Sequence, residues 1–320
     1  MDFKEIAKEV LKIEADELLQ NAQNIDSKIA EIVEMIYKTK GKLIITGVGK
    51  SGLVGSKMAA TFASTGTSSF FLHPTEAMHG DLGMIGADDT LLAISYSGES
   101  EELIKMIPHI KRLGVPLIGM SGDENSTLAK SSDLFLSIKV NKEACPLNAA
   151  PTSSTTLTMA LGDALAVCLM RRREFKKEDF ASFHPGGTLG KKLFVKLKDV
   201  MRKNNLPKVS SNTSLKDAII TMSEGRLGVV MIEDKNKLIG ILTDGDLRRA
   251  LMREDFNIEH KVTLYASLKP KTINDSNILA SDALKIIEEQ KLQHIIITNK
   301  ENVIEGLIHI HDLVEMGIKS

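Results

Sequence analysis

The chain has 320 residues, of which 42% are hydrophobic and 26% charged, an ordinary globular composition that excludes a disordered or fibrous protein and allows about two domains. Its 41 Lys and Arg balance 42 Asp and Glu, so no basic excess indicates a nucleic-acid or anionic-membrane partner. Two cysteines are too few for a disulfide framework. The N-terminal sequence is unlike a signal peptide. The most apolar stretch, 157–170, is shorter than the ~20 residues that a membrane span needs. We therefore expect a soluble, cytoplasmic protein.

The first half of the chain alternates between helical and strand patterns. Residues 3–37 place apolar side chains at helical spacing, which predicts one amphipathic helix or two. Apolar runs of strand length follow at 42–48, 68–73, 90–97, 116–121 and 134–140. Helix-compatible segments lie at 52–64, 101–113 and 152–172. This alternation predicts βαβ units, and therefore an α/β fold with a parallel sheet covered by helices on both faces.

The first predicted strand ends in the turn Gly47-Val48-Gly49-Lys50-Ser51-Gly52. Its letters match a dinucleotide fingerprint, but the second strand ends in His73-Pro74 where an acidic residue should bind the ribose, so we discount NAD. Ile44 stands where a Walker A loop needs glycine. What remains is a turn with exposed amides, a small hydroxyl and Lys50, which suits a compact anionic group at the carboxyl edge of the sheet.

The third predicted strand ends in Ser95-Tyr96-Ser97-Gly98-Glu99-Ser100, and a helix begins directly afterwards. Serine hydroxyls and free amides at a helix N-terminus suit a phosphate, and the helix dipole adds ~0.3–1 kcal/mol. A plain capped βα turn explains the serines alone equally well. The glycine–lysine turn on a nearby strand favours the phosphate.

The second half of the chain is a tandem repeat. The run Gly240-Ile241-Leu242-Thr243-Asp244-Gly245-Asp246-Leu247 recurs 66 residues later as Gly306-Leu307-Ile308-His309-Ile310-His311-Asp312-Leu313. Strands are predicted at 228–233 and 294–298. A repeat of this length cannot bury its own faces, so we expect the two copies to pack on each other.

Together these motifs resemble known families. Residues 42–172 resemble a sugar isomerase (SIS) domain, residues 197–320 resemble a pair of cystathionine-β-synthase-like (CBS) domains, and the combination resembles the arabinose-5-phosphate isomerase family. The resemblance rests on the two turns above and on the runs AATFASTG (59–66), HGDLG (79–83), KEACPL (142–147), APTSSTT (150–156), HPGG (184–187) and TDGDLRR (243–249).

The resemblance implies an α/β fold in which a flavodoxin-like, three-layer SIS domain precedes a tandem CBS pair. The expected boundaries are an N-terminal amphipathic helical segment at 1–40, the SIS domain at 41–184, a linker at 185–200, and CBS domains at 201–260 and 267–320.

The resemblance also implies a reversible exchange of D-ribulose 5-phosphate and D-arabinose 5-phosphate through an enediolate, without an organic cofactor, for the Kdo sugar of lipopolysaccharide or capsule. It assigns the catalysis to Lys50, Glu102, Glu143 and His184. The chemistry needs a base between C1 and C2, a stabilised enediolate oxygen and an acid/base pair for ring opening. Lys50 suits the enediolate or phosphate charge, Glu102 or Glu143 the base if burial raises its pKa toward neutrality, and His184 or His79 the ring opening.

Further contacts follow from the same resemblance. Substrate contacts are expected at Ser51, Gly66, Thr67, His79, Ser95, Ser97 and Ser100. His73 is expected to bind an inhibitory rather than a required zinc, although two histidines six residues apart are weak evidence of a metal site. Asp246 and Asp312 match the positions where CBS pairs hold the ribose of a nucleotide or nucleotide sugar, but capping of a helix is the interpretation we favour slightly.

The resemblance also predicts a homotetramer whose active sites are shared between subunits, with His184 acting in a neighbour's site. The first helix carries more apolar surface than a sheet edge needs, in agreement with subunit packing. Two other functions stay open: a sensor that binds sugar phosphates without turnover, and an isomerase of another phosphosugar. Sensors usually carry a DNA-binding or partner-binding domain that is not apparent in this sequence, and phosphohexulose and phosphoheptose isomerases lack the CBS pair.

Overall fold

The computed structural model describes residues 1–319. These residues form two compact units, Met1–Phe183 and a second unit that begins at His184.

The first unit is built on a five-stranded parallel sheet in the order β2-β1-β3-β4-β5. Its strands are β1 (Leu43–Gly47), β2 (Ser69–Phe71), β3 (Thr90–Ile94), β4 (Leu117–Ser121) and β5 (Leu134–Ser137). Every predicted strand is confirmed, and the 2-1-3-4-5 order is that of the flavodoxin-like class. The strands β1, β3 and β4 are buried along their whole length because helices cover both faces of the sheet.

The helices of this unit are α1 (Phe3–Gln23), α2 (Lys28–Lys38), α3 (Gly49–Ser64), α4 (Pro74–Met78), α5 (Glu101–Leu113), α6 (Thr127–Ser131), α7 (Ser153–Arg172) and α8 (Lys177–Phe183). One apolar cluster joins α2, α3 and α7 to one face of the sheet, and a second joins α5 to the other face. The predicted segment 1–40 is therefore not separate from the SIS domain, because α1 and α2 pack on α7 and belong to the same unit.

One helix, α7, is long and apolar enough to cross a membrane. Half of its apolar window is buried against the rest of the first unit, and its inward side chains, such as Leu157 and Leu165, lie in the core cluster with Met58 and Phe62 of α3. The helix is explained as the core helix of an α/β layer.

The second unit contains two similar sheets. They are formed by β6 (Lys208–Ser210), β7 (Val229–Asp234) and β8 (Lys237–Thr243), and by β9 (Thr272–Ile273), β10 (His294–Thr298) and β11 (Ile304–His309). Its helices are α9 (Thr188–Phe194), α10 (Leu197–Val200), α11 (Leu215–Gly225), α12 (Asp244–Ala250), α13 (Ala280–Glu289) and α14 (Ile310–Glu315). Val229 and Met231 of the first repeat share a buried cluster with Ile296 and Leu307 of the second, so the two repeats pack on each other as predicted.

The expectation of a linker at 185–200 is wrong. This segment holds the helices α9 and α10, and Leu197 is completely buried in the core of the second CBS repeat. The amide of Leu197 donates to the carbonyl of Ile278, and Arg202 exchanges backbone hydrogen bonds with Leu307. Its four Lys residues gave the segment a solvated pattern, but the apolar positions between them complete a core that lies about 80 residues later in the chain.

Candidate active site

A cavity of about 420 Å³ lies at the carboxyl edge of the sheet in the first unit. It is lined by Val48, Lys50, Ser51, Val54, Ser95, Tyr96, Ser97, Ser100, Ile138, Pro151, Ser154, Thr155 and Thr158. These residues follow β1, β3 and β5 and begin α7. In an open α/β sheet of this order, the point between β1 and β3 is where the strand order reverses and where ligands bind.

Three long helices begin at this cavity. The start of α7 is bound by Glu143, whereas α3 and α5 are not capped by a side chain of their N-cap residues. Val48 precedes α3 and Ser100 precedes α5, and neither side chain accepts from the first helical turn in the described part of the chain. The first amides of a helix are unpaired by geometry, and the helix dipole adds partial positive charge there. Two such ends beside the Lys50 ammonium make the cavity suited to an anionic ligand.

The serine loop after β3 is held by its own hydroxyls. The Ser95 hydroxyl lies 2.9 Å from that of Ser100 and accepts from the amide of Gly98 at 3.1 Å. The Ser97 hydroxyl accepts from the amide of Glu99 at 3.2 Å. Gly98 makes the loop possible, because its φ of +69° lies in the left-handed region and its Cα faces the side chains of Ser121 and Ser126.

Gly98→Ala is expected to lower the free energy of unfolding by more than the roughly 1–3 kcal/mol that a left-handed non-glycine residue costs. The added methyl would collide with the Ser126 side chain and lie 2.8 Å from the Ser121 hydroxyl. The measurement is urea denaturation. Gly114→Ala is the matched control at the other end of α5, since Gly114 has a φ of +71° and open space around its Cα. Equal losses in the two variants would contradict the close contact.

Glu143 is buried, with 8% of its surface exposed, and it binds the start of α7. Its Oε2 accepts from the amide and the hydroxyl of Thr152, at 2.7 and 2.8 Å, and from the amide of Ser154 at 3.3 Å. Burial alone would raise the pKa of this carboxyl, but the hydrogen bonds from Ser154 and Thr152 outweigh burial and hold the pKa below its ordinary value. The condition set for Glu143 as the base, a pKa raised toward neutrality, is therefore not met.

Glu143→Gln is expected to destabilise the protein at pH 7 by roughly 1–3 kcal/mol, because hydrogen bonds to a charged acceptor are lost. A lowered carboxyl pKa stabilises the fold above the ordinary value of 4.5 and loses that contribution as the pH falls below it. The difference between the wild type and the variant in chemical denaturation should therefore stay nearly constant from pH 7 to about pH 5 and shrink as the pH falls below 4.5. A difference that grows on acidification would show a raised pKa instead.

The remaining predicted catalytic residues are dispersed. Lys50 lines the cavity, and Glu102 is exposed in the first turn of α5, two residues after the cavity residue Ser100. Glu102 accepts no hydrogen bond from any residue in the described range 1–319. His184 is the first residue of the second unit, so its catalytic role stays a prediction.

The predicted substrate contacts are also divided. Ser51, Ser95, Ser97 and Ser100 line the cavity, but three of the predicted contacts do not. Gly66 and Thr67 come just before β2, whose first residue pairs with the first residue of β1, so they lie at the opposite, amino edge of the sheet. His79 is exposed at the end of α4. A contact between these three residues and substrate stays a prediction.

The expected zinc ligand His73 lies at the carboxyl end of β2 and begins α4. Its Nδ1 accepts from the amide of Thr75 at 3.2 Å, which leaves Nε2 for another partner. Among residues 1–319, no group of three or more His, Cys, Asp and Glu side chains is arranged to hold a metal ion. Binding of zinc at His73 therefore stays a prediction.

The contribution of α7 to the cavity was not predicted from the sequence. Ser154, Thr155 and Thr158 line it, within the first two turns of a helix that is otherwise apolar. The signal was the run of five hydroxyl residues, 152–156, which served only as one of the motifs of the resemblance. Tyr96, between the predicted serines, also lines the cavity.

In the second unit, Asp246 and Asp312 both cap helices, as favoured above. Oδ2 of Asp246 accepts from the amide and hydroxyl of Thr243, and its Oδ1 accepts from Arg249 and Ser267. Asp312 accepts from the amide of His309 and forms a two-point ion pair with Arg202 at 3.0 and 3.2 Å. Both carboxylates therefore already have hydrogen-bond partners within the second unit.

A cleft of about 840 Å³ lies between the two repeats of this unit. Its charged lining consists of Arg248, Lys269, Lys271, Lys291 and Asp244, together with His294. Burial lowers the pKa of His294, and the charge of His309 lowers it further, so the positive potential comes from the Arg and Lys side chains.

Comparisons with known proteins agree with this architecture. The SIS domain model matches residues 35–168, and the CBS domain model matches residues 197–253 and 267–318. A protein of Helicobacter pylori strain 26695 is 49% identical over 325 residues, which cover 100% of this chain and 98% of that protein.

Several relatives carry a functional description, and two from Escherichia coli illustrate them. The arabinose 5-phosphate isomerase KdsD of Escherichia coli K12 is 44% identical over 321 residues, which cover 99% of this chain and 97% of KdsD. The structure of c3406 from E. coli CFT073, in complex with arabinose 5-phosphate, is 40% identical with a TM-score of 0.56, and the match covers 57% of this chain and 98% of that one.

Proposed function

Since the chain belongs to the arabinose 5-phosphate isomerase family, in which a SIS domain is joined to a CBS pair, we propose that its cavity interconverts D-ribulose 5-phosphate and D-arabinose 5-phosphate. The observation that carries the proposal is the convergence of two uncapped helix N-termini and Lys50 on one cavity. The reaction supplies arabinose 5-phosphate for Kdo in the cytoplasm.

The phosphate of the substrate lies at the start of α5. The hydroxyls of Ser97 and Ser100 and the free amides of the first turn are donors that match phosphate oxygens. This placement directs the C1–C2 end of a five-carbon sugar toward the second uncapped helix, α3, where Lys50 and Ser51 lie.

The reaction proceeds through an enediolate. A base removes the C1 proton of ribulose 5-phosphate, the electron pair forms the C1–C2 double bond, and negative charge develops on O2. Lys50 and the α3 amides stabilise that charge. The base then returns this proton to C2, and the proton on O1 passes to O2, which gives the aldose.

Glu102 is the base in this proposal. Glu143 is a weak base, because its pKa is lowered by the donors of α7. Glu102 lies in the first turn of α5, so its side chain would have to extend along the bound sugar to reach C1. Its carboxylate is exposed and accepts no hydrogen bond within residues 1–319, so its lone pairs are available to that proton.

The test is an NMR assay of the purified protein with ribulose 5-phosphate, with and without EDTA. The expected result is arabinose 5-phosphate that accumulates to a constant ratio, with no lower rate in EDTA, because turnover needs no metal. Loss of turnover in EDTA would contradict the metal-free reaction. No turnover in a sample that still binds the sugar phosphate by thermal shift would favour the sensor.

The active enzyme is a homotetramer with shared sites in this proposal. Several apolar side chains of α1, including Phe3, Leu11 and Leu19, are exposed on the single chain, which supports burial by other subunits. Mixing inactive His184→Ala subunits with inactive Lys50→Ala subunits should restore activity. No recovery in mixed oligomers verified by mass would contradict a shared site.

The cleft of the CBS pair binds an anionic nucleotide or nucleotide sugar in this proposal. Four cationic side chains face one acidic side chain there, a charge balance that suits phosphates. Titration calorimetry with ADP and CMP should show binding that is weakened at least about tenfold in a Lys269→Met/Lys271→Met variant. Equal affinity of the variant and the wild type would contradict this location.

A further inference from the structure

The first helix, α1, buries a carboxylate rather than an apolar side chain. Within Phe3–Gln23, all of which the structure describes, Glu17 is the only buried residue, with 6% of its surface exposed. A buried carboxylate is costly unless its oxygens are hydrogen-bonded. The hydrogen-bond partners of Glu17 therefore identify the segment that α1 binds.

Both oxygens of Glu17 accept from consecutive backbone amides. Oε2 accepts from the amide of Asn141 at 3.0 Å, and Oε1 accepts from the amide of Lys142, also at 3.0 Å. Gln20 accepts from the Asn141 side chain at 2.7 Å, and the Asn21 side chain donates to the carbonyl of Lys139 at 3.2 Å. One polar face of α1 thus holds the segment 139–142 that follows β5.

The held segment leads directly into the wall of the cavity. Glu143, the next residue, binds the first turn of α7 through Thr152 and Ser154. Ser154 and Ile138, at the two ends of this connection, line the cavity. The backbone position of residues 141 and 142 therefore determines where Glu143 meets α7 and where the hydroxyls of α7 stand.

We propose that Glu17 is a positioning residue of the isomerase site: it fixes the backbone of Asn141–Lys142 and thereby the contact of Glu143 with α7. The proposal rests on the proposed function for its kinetic consequence, but the ordering of the loop can be measured without turnover. Small displacements of groups that orient a substrate cost up to about 10²-fold in rate.

The reactivity of the Cys145 thiol is a measure of how well the same loop is ordered. Its thiol is half-buried, and backbone N–H groups of Ala149, Ala150 and Leu147 lower its pKa. If the loop loosens, the thiol becomes more accessible and its amides move. The rate of alkylation by iodoacetamide, measured in a Cys168→Ser background, therefore follows loop order independently of the substrate.

The experiment compares Glu17→Gln with Glu14→Gln. Glu14 is on the same helix, but it accepts from the side chain of Thr156 at 3.0 Å and forms no hydrogen bond with residues 139–142 in the described part of the chain. In the Glu17→Gln variant, the side-chain amide would offer one acceptor oxygen where two backbone amides need one each. Glu17→Gln is expected to lower kcat/KM about tenfold or more relative to Glu14→Gln, and to change the alkylation rate of Cys145 severalfold.

The outcomes separate the two claims. A wild-type protein without turnover would contradict the proposed function, while the alkylation rates would still test the loop. A wild-type protein with turnover, together with equal kinetics and equal alkylation in the two variants, would overturn the role of Glu17. If Glu17→Gln does not fold, Gln20→Ala, which removes the outer hydrogen bond only, should change the alkylation rate by a smaller factor at unchanged Tm. No change in that variant would likewise overturn the proposal.

Discussion

Lys50→Met is expected to lower kcat/KM by roughly 10²–10³, the cost of removing one donor that stabilises a transition-state oxyanion. Lys50 lines the cavity at the uncapped start of α3, where the charge of the enediolate develops. Methionine keeps most of the length of the side chain and removes the ammonium group. Steady-state kinetics in both directions provide the measurement, because a group that acts on the shared intermediate slows the two directions equally.

Lys57→Met is the matched control for this substitution. Lys57 is on the same helix, two turns further on, and its ammonium forms an ion pair with Asp163 that is exposed. An exposed pair contributes at most about 1 kcal/mol to stability, and Lys57 does not line the cavity. Similar kinetic losses in the two variants would show that the charge of α3 as a whole, rather than Lys50, is what matters.

Glu102→Gln is expected to lower kcat by roughly 10²–10⁴ with little change in KM, the range measured for the loss of a general base. Glutamine keeps the shape of the side chain and cannot take a proton. Since the phosphate binds to neighbouring hydroxyls and amides, the variant should still bind arabinose 5-phosphate. Initial rates and equilibrium binding by calorimetry separate the two effects.

Glu101→Gln controls for the charge of the α5 N-terminus. Glu101 precedes Glu102 in the same turn, but its carboxylate is occupied by Lys105, whose hydrogen bond and charge lower the pKa of Glu101. The control should retain nearly full activity. A Glu102→Gln enzyme as active as Glu101→Gln would assign the proton transfer to another group, with Glu143 the first to test.

The strands and helices of the first unit could be predicted because each is marked by the residues of its own short stretch of sequence. The strands are apolar runs bounded by glycine, proline or serine, and α5, predicted at 101–113, spans Glu101–Leu113 in the structure. The prediction of a linker at 185–200 was wrong because the signal for this segment is not local. Leu197 is buried by Ile273, Ala280 and Leu284, and a contact with residues that lie about 80 positions later leaves no trace in the local sequence.

The candidate site was predictable only in part for the same reason. Lys50, Ser51 and the serines follow strands that end at one sheet edge, so their convergence could be derived from topology. The state of Glu143 could not, since it depends on donors from Thr152 and Ser154 that only the fold brings to it. The burial of Glu17 against the amides of Asn141 and Lys142 could not be predicted at all, because a glutamate on an amphipathic helix is normally solvated.

The most direct test of the account is a crystal structure of the Glu102→Gln variant with ribulose 5-phosphate, which should accumulate unreacted substrate. We expect the phosphate within hydrogen-bond distance of Ser97, Ser100 and the first amides of α5, and O2 of the sugar within reach of the Lys50 ammonium. A sugar phosphate bound elsewhere, with the starts of α3 and α5 making no contact to it, would contradict the assignment of the cavity as the isomerase site.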